Sequence, residues 1–96
     1  MVVTMLEAEV AGGLAGKLTE AFNDESDSLP LVIRESFLIR ESGGDLWRIV
    51  TVWESKEALD RYRASVDTPG GVLMFRSVGA EPALTVFEVA AHADHN

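Results

Sequence analysis

The segment 46–66 carries the clearest hydrophobic pattern in the chain. Residues 46–53 are mostly β-branched or aromatic, a composition typical of a strand. Side chains of a strand alternate between its two faces, and here both faces are apolar: the residues are Trp47, Ile49 and Trp53 on one face, and Leu46, Val50 and Val52 on the other. A strand with one face in water would alternate apolar with polar residues, so this strand requires cover on both sides.

A helix is predicted directly after this strand. Ser55 is a good N-cap, and Glu57 places a negative charge near the helix N-terminus. Apolar residues then follow at helical spacing and form one face: Ala58, Leu59, Tyr62 and Val66.

The rest of the chain predicts three further strands and one further helix. The strands span residues 2–10, 31–41 and 83–91, and the helix spans residues 14–25. Residues 23–28 are polar and precede Pro30, which predicts a loop. Residues 42–45, Ser-Gly-Gly-Asp, predict the tight turn of a hairpin. Ile33, Phe37 and Ile39 are expected to share one face of the second strand.

The segment after the second helix has two interpretations. Thr68 and Pro69 favour a short helix that runs to Arg76. Gly70 and Gly71 weaken a helix, and the alternative is an irregular connection whose apolar side chains fill the core.

The resulting order is strand, helix, strand, strand, helix, strand, which is the ferredoxin-like arrangement of an α+β protein. Right-handed crossovers place both helices on one face of a four-stranded antiparallel sheet. The other face is then bare, although its residues are apolar. A second copy of the chain, related by a two-fold axis, would cover it, so we expect a homodimer.

Composition narrows the function classes. The 96 residues suit one domain, predicted to span residues 1–91, with a flexible tail at 92–96. The net charge of −8 argues against nucleic-acid binding, because phosphate would be repelled. The chain has no cysteine, which excludes disulfides and thiolate sites. We see no signal peptide and no apolar run of about 20 residues, so neither secretion nor a membrane span is expected, and a cytoplasmic location is the default.

One set of residues resembles a known family, the antibiotic biosynthesis monooxygenases. The set covers Trp53-x-Ser55-x-Glu57-Ala58-x-x-x-Tyr62, then Thr68-Pro69, then Phe87-Glu88-Val89. The resemblance extends over about residues 2–90 and implies a dimeric α/β barrel built from ferredoxin-like subunits. It also implies a reaction without metal or flavin, in which a phenolic, polyketide-like substrate is deprotonated and the anion reacts with oxygen.

Such a site needs an apolar pocket and a few hydrogen-bond donors to hold the anion. The candidate catalytic residues are Tyr62 and Arg48, and the candidate substrate-binding residues are Trp53, Phe37, Phe75 and Arg34. Alternatives stay open for these residues. Tyr62 and Trp53 are also typical of core aromatics. Arg48 interrupts an apolar face, where it would bind an anionic substrate or form an ion pair with Glu35 or Glu88.

Heme-degrading relatives of this family have a tryptophan at the place of Tyr62, a histidine near Val72 and an asparagine in the first strand. This chain has neither that histidine nor that asparagine, so heme degradation is not expected. His92 and His95 lie in the predicted tail and are interpreted as solvated residues, because a metal site needs a rigid backbone and more ligands. No metal or cofactor is therefore expected.

Two function classes remain. The first is a cofactor-independent monooxygenase acting on a small aromatic molecule. The second is a non-catalytic dimer that binds an apolar ligand or a partner. The enzyme requires a polar group with a suitable environment inside the cavity, whereas the binding module requires only the cavity.

Overall fold

The computed structural model describes residues 1–95. It contains four strands and three α-helices, in this order: β1 (Val2–Glu9), α1 (Ala15–Ser26), β2 (Ile33–Arg40), β3 (Leu46–Trp53), α2 (Lys56–Ser65), α3 (Gly70–Arg76) and β4 (Ala83–Glu88). A single 3-10 turn, Gly12–Leu14, leads into α1. Residues 89–95 contain neither helix nor strand, and the last residue of the predicted tail, Asn96, lies outside the described residues.

The four strands form one antiparallel sheet in the order β2-β3-β1-β4. This order and the helical connections confirm the predicted α+β, ferredoxin-like fold. The central strands are β3 and β1, and the clearest strand of the sequence therefore lies at the centre of the sheet. None of the helices within residues 1–95 is long and apolar enough to cross a membrane.

The two faces of β3 have different surroundings, as its pattern predicts. Trp47, Ile49 and Trp53 are buried beneath the helices, together with Thr51. The residues between them are only half-buried, because no other part of residues 1–95 covers the opposite face of the sheet. We call this opposite side the open face.

The helix-covered side of the sheet holds two separate apolar clusters. The larger cluster joins α1 and α3 to the sheet and includes Leu18, Trp47 and Phe75. The smaller cluster joins α2 to the other end of the sheet and includes Val2, Trp53 and Leu59.

The predicted boundaries differ most in β4, which ends at Glu88, three residues earlier than predicted, and in β2. α1 ends at Ser26, one residue beyond the predicted end of the helix, so the loop before Pro30 is shorter than the predicted 23–28. β2 begins at Ile33, two residues later than predicted. The predicted face of Ile33 is wrong. A β-bulge at Arg34 adds one residue to the strand, so Ile33 pairs with Trp53 and lies beneath the helices.

Local signals specify the connections well. The Ser55 side chain caps α2 by accepting a hydrogen bond from the Ala58 N–H at 3.0 Å. The hairpin turn between β2 and β3 has Gly43 at φ +77°, where glycine is favoured, and the Gly44 N–H donates to the Glu41 carbonyl at 2.9 Å. The segment after Pro69 is a helix, α3, rather than an irregular connection.

The open face is largely apolar. Three large side chains on it are about half exposed: Phe37 at 47%, Ile39 at 45% and Phe87 at 46%. At its centre the Arg48 Nε donates to a Glu7 carboxylate oxygen at 2.6 Å, across the β1–β3 pairing.

Candidate functional site

A cavity of about 380 Å³ occupies the space between the two apolar clusters. Its floor is the helix-covered side of the sheet, and its walls come from α2, from the residues before and within α3, and from the chain after α1. The lining is mainly apolar, with Leu6, Ile49 and Leu59 among its members. Its size and lining are typical of a site for a small organic molecule.

The floor carries a row of hydroxyl groups. Ser36, Thr51 and Thr4 are register partners on β2, β3 and β1, so their side chains lie side by side across the sheet. The Ser36 and Thr51 hydroxyls are hydrogen-bonded to each other at 2.9 Å. The Trp53 indole N–H donates to the Thr4 hydroxyl at 2.9 Å. Thr4 and Thr51 are only 7% and 8% exposed, although both line the cavity.

Tyr62 forms part of the wall above this floor. Its hydroxyl accepts a hydrogen bond from the Gly70 N–H at 3.1 Å. Its ring packs on the Trp53 ring, with centroids 5.1 Å apart and planes inclined by 46°. Because the Tyr62 oxygen accepts from the backbone, its own proton is available to a ligand.

The two glycines at the start of α3 allow the helix to approach the sheet and α2. A Cβ atom on Gly71 would lie 2.6 Å from Leu6 Cδ1, closer than carbon atoms tolerate. A Cβ atom on Gly70 would lie 3.6 Å from the Tyr62 hydroxyl and 3.8 Å from Glu25 Oε2. Two polar groups, a phenol and a carboxylate, therefore flank the same glycine beside the cavity.

An ion pair stands at one edge of the cavity. The Arg76 guanidinium at the end of α3 makes two hydrogen bonds to the Glu81 carboxylate, at 2.9 and 2.8 Å. Both residues line the cavity. The hydrogen bonds from Arg76 hold the pKa of the Glu81 carboxyl below its ordinary value, and the same contact raises the pKa of Arg76.

Two of the candidate site residues meet at this cavity, Tyr62 and Trp53. Trp53 contributes its ring, while its N–H is bonded to Thr4. The other four candidates do not join them. Phe75 is fully buried in the larger cluster, and Arg34 is exposed at the β2 bulge.

Arg48 and Phe37 lie on the open face, opposite the cavity. Strand alternation explains this, because Arg48 lies between the buried Trp47 and Ile49, and Phe37 pairs with Val50. Arg48 therefore forms the structural ion pair that the sequence left open, although its partner is Glu7 rather than Glu35 or Glu88. Because Arg48 lies on the open face and does not line the cavity, it cannot contact a ligand that Tyr62 contacts.

Sequence reasoning missed the hydroxyl row and Glu25. Thr4 and Thr51 fall on the apolar side of β1 and β3 by simple alternation, and a hydroxyl within such a pattern was the available signal. Ser36 shares its face with Leu38 by the same alternation, and the bulge at Arg34 changes only the face of Ile33. Glu25 had no comparable signal.

The described residues offer little for a metal ion. Within residues 1–95 no three histidine, cysteine, aspartate or glutamate side chains are grouped so as to hold one. The lining residues of the cavity, all within the same range, include no histidine.

Solved structures of several other proteins share this architecture. SnoaB from Streptomyces nogalater, described as a cofactor-independent oxygenase, is 15% identical with a TM-score of 0.72, over 98% of this chain and 97% of that one. The heme-degrader MhuD from Mycobacterium tuberculosis, with two hemes in its active site, is 22% identical with a TM-score of 0.72, over 98% and 100%. A structure described as an antibiotic biosynthesis monooxygenase is 8% identical with a TM-score of 0.69, over 95% and 100%.

This chain has the fold of the antibiotic biosynthesis monooxygenases. The resemblance drawn from the sequence motif is thus confirmed at the level of the fold. No protein-family model matches the sequence, and the comparison with curated proteins finds no match. At these identities the likeness concerns architecture, and one fold hosts many activities. The function depends on the residues that line the cavity.

Proposed function

We propose that this chain is a cofactor-independent monooxygenase that oxidises a small phenolic, polyketide-like aromatic molecule in the cavity between the sheet and α2 and α3. The observation that carries the proposal is the Tyr62 hydroxyl. It lines a mainly apolar cavity, and the Gly70 N–H bonded to it leaves its proton free for a substrate oxygen. The fold shared with SnoaB, a cofactor-independent oxygenase, supports the same reaction class.

The reaction class sets what the cavity must do. The substrate loses a proton, and the resulting electron-rich anion reduces O₂. With an anthrone, the ring CH₂ becomes a carbonyl with one oxygen atom, and the second oxygen atom leaves as water with the two hydrogens. Tyr62 donates a hydrogen bond to the substrate oxygen on which the negative charge develops. Leu6, Ile49 and Leu59 keep water away, which strengthens that hydrogen bond.

Oxygen uptake with a panel of anthrones and hydroquinones tests the proposal. The protein is first treated with a chelator and freed of flavin, and uptake should persist. Tyr62→Phe keeps the ring but removes the donor, and we expect the rate to fall by roughly ten- to a thousandfold. Thr19→Val is the control, because it removes a hydroxyl that is exposed on α1 and bonded to the Ala15 carbonyl.

Two results would count against the proposal. Full activity of Tyr62→Phe would remove Tyr62 from the mechanism. Absence of oxygen uptake across the whole panel would reject the oxygenase.

A binding module is the second candidate, and one observation favours it. Most polar groups on the floor are already paired within the protein, since Trp53 donates to Thr4 and Ser36 pairs with Thr51. A cavity of this kind accepts an apolar ligand without further polar contacts. Tight binding of an aromatic ligand without any oxygen uptake would select this function.

We also propose that the protein is a homodimer joined through the open face. The support is the exposure of Phe37, Ile39 and Phe87 around one central, paired Arg48–Glu7 contact. A contiguous group of exposed apolar side chains on one face of a sheet marks an interaction site. A two-fold axis would place the open face of a second copy on the open face of the first, so the same patch of each copy forms the interface.

A further inference from the structure

Thr4 is a buried polar residue on the floor of the cavity, at a position where an apolar residue is expected. It lies at the centre of the sheet, between two apolar clusters, where a valine would fill the same volume. A buried hydroxyl is costly unless it forms hydrogen bonds. Thr4 accepts one, from the Trp53 indole N–H. This is the one side-chain hydrogen bond in which Thr4 takes part among the described residues, and Thr4 is the acceptor in it.

The contact with Trp53 makes Thr4 a better donor. A hydroxyl that accepts a hydrogen bond is polarised and donates more strongly, especially in a poorly hydrated cavity. The indole N–H has no acceptor role, so the direction of this bond is fixed. The Thr4 proton is left for a group inside the cavity, which Thr4 lines.

A second donor lies beside it. Ser36 and Thr51 share one hydrogen bond, and when Ser36 is the donor the Thr51 proton remains for a ligand. Thr51 is the register partner of Thr4. Adjacent strands are ~4.8 Å apart, so the side chains of these two register partners are neighbours on the floor of the cavity, which both line.

We infer that the hydroxyl row around Thr4 anchors a ring carbonyl oxygen of the aromatic ligand on the floor of the cavity, with Trp53 as the residue that positions Thr4. The ligand class is then an aromatic ketone, such as an anthrone or a quinone. This inference rests on the proposed function for the aromatic class, and it adds the oxygen and the residue that binds it.

Two probes separate this anchor from simple packing. 9,10-Anthraquinone has ring carbonyls, and anthracene has the same ring frame without oxygen. Their affinities are measured by quenching of the tryptophan fluorescence. Thr4→Val keeps the shape of the side chain and removes the hydroxyl. We expect it to weaken anthraquinone binding by about three- to tenfold, the range for one neutral hydrogen bond, with anthracene within twofold. Thr4→Ser should retain anthraquinone binding.

Thr85→Val is the matched control. Thr85 lies on β4 of the same sheet, but on the open face, and it should change neither affinity. If Thr4→Val fails to fold because the Trp53 N–H loses its partner, the comparison moves to Trp53→Phe with and without Thr4→Val. Neither protein then holds an unpaired indole, and the same selective loss of anthraquinone binding is expected.

The outcomes distinguish the anchor from the oxygenase. Equal loss of both probes, no loss of either, or a wild-type protein that does not prefer anthraquinone would overturn the anchor. Hydroxyl-dependent anthraquinone binding without oxygen uptake would support the anchor and reject the oxygenase. Oxygen uptake from anthrones with no selective effect of Thr4→Val would do the reverse.

Discussion

The Tyr62 hydroxyl accepts a hydrogen bond from the Gly70 N–H at 3.1 Å, and this contact ties α2 to the first turn of α3. The first N–H groups of a helix have no partner within the helix. Pro69, at the N-cap of α3, provides no side-chain hydrogen bond. The phenol of one helix therefore serves as the cap of the next, and the same oxygen faces the cavity.

Tyr62→Phe should accordingly loosen α3 as well as reduce turnover. We expect a loss of about 0.5–1.5 kcal/mol in the free energy of unfolding, the range for one net hydrogen bond. The Gly70 amide should exchange its hydrogen faster, which NMR measures directly, while amides in β1 and β3 keep their protection. An unchanged exchange rate at Gly70 would show that Tyr62 does not cap α3.

Gly71 should tolerate no larger side chain without a response from Leu6. A Cβ atom there would lie 2.6 Å from Leu6 Cδ1, the end of a flexible side chain, so we expect Gly71→Ala to displace Leu6 and to cost about 1 kcal/mol, the low end for overpacking. Gly16→Ala is the control. Gly16 also lies in a helix but has open space around it, and alanine there should stabilise by about 0.5–1 kcal/mol.

A double-mutant cycle checks the cause. In a Leu6→Ala background the Gly71→Ala penalty should shrink, because the clashing methyl group is gone. Equal penalties in both backgrounds would assign the effect to something other than this contact.

The Arg76–Glu81 pair predicts a pH effect at the edge of the cavity. Hydrogen bonds from Arg76 lower the pKa of the Glu81 carboxyl, so the pair stabilises the fold above the ordinary glutamate pKa of about 4.3. That contribution is lost as the pH falls through the lowered pKa of the folded state. Both groups are exposed, so salt should weaken the effect.

An NMR titration of Glu81 measures this shift. In Arg76→Gln the pKa of Glu81 should return towards the ordinary value, and the titration of the wild-type protein in high salt should move in the same direction. A Glu81 titration that is the same in wild type and Arg76→Gln would contradict the assignment of the shift to this pair.

The fold was predictable because its strongest signals are local. The two apolar faces of β3 predicted a strand that requires cover on both sides, and Ser55 predicted the start of α2. The site was predictable only in part. The helical spacing of Ala58, Leu59 and Tyr62 predicted that they share one face of α2, and all three are buried or half-buried. Whether Arg48 could line the cavity depended on which face of β3 borders it. The face on which Ile33 lies depended on the β-bulge at Arg34, and no turn residue within β2 indicates that bulge.

Gly43 shows the local signals at their most specific. A tight hairpin turn often needs a residue with positive φ, and in the predicted turn at residues 42–45 that residue is Gly43, at +77°. Gly43→Val should destabilise by about 1 kcal/mol or more, because a β-branched residue resists this conformation. Gly44 has no positive φ, so Gly43→Ala should cost more than Gly44→Ala. Thermal unfolding compares the variants, and equal midpoints for Gly43→Ala and Gly44→Ala would refute the argument.

Phe37 tests the proposed dimer. It is half exposed on the open face, where a second copy would bury it, and an interface of standard size covers ~1,600 Å² in total. Phe37→Glu should convert the dimer to a monomer at micromolar concentration, because an unpaired charge would be buried at an apolar interface. Leu31→Glu is the matched control, since Leu31 is fully exposed outside the sheet, and it should sediment as the wild type does. A wild-type protein that sediments as a monomer at this concentration would rule out the dimer. A Phe37→Glu protein that stays dimeric would show instead that the two copies meet on another surface.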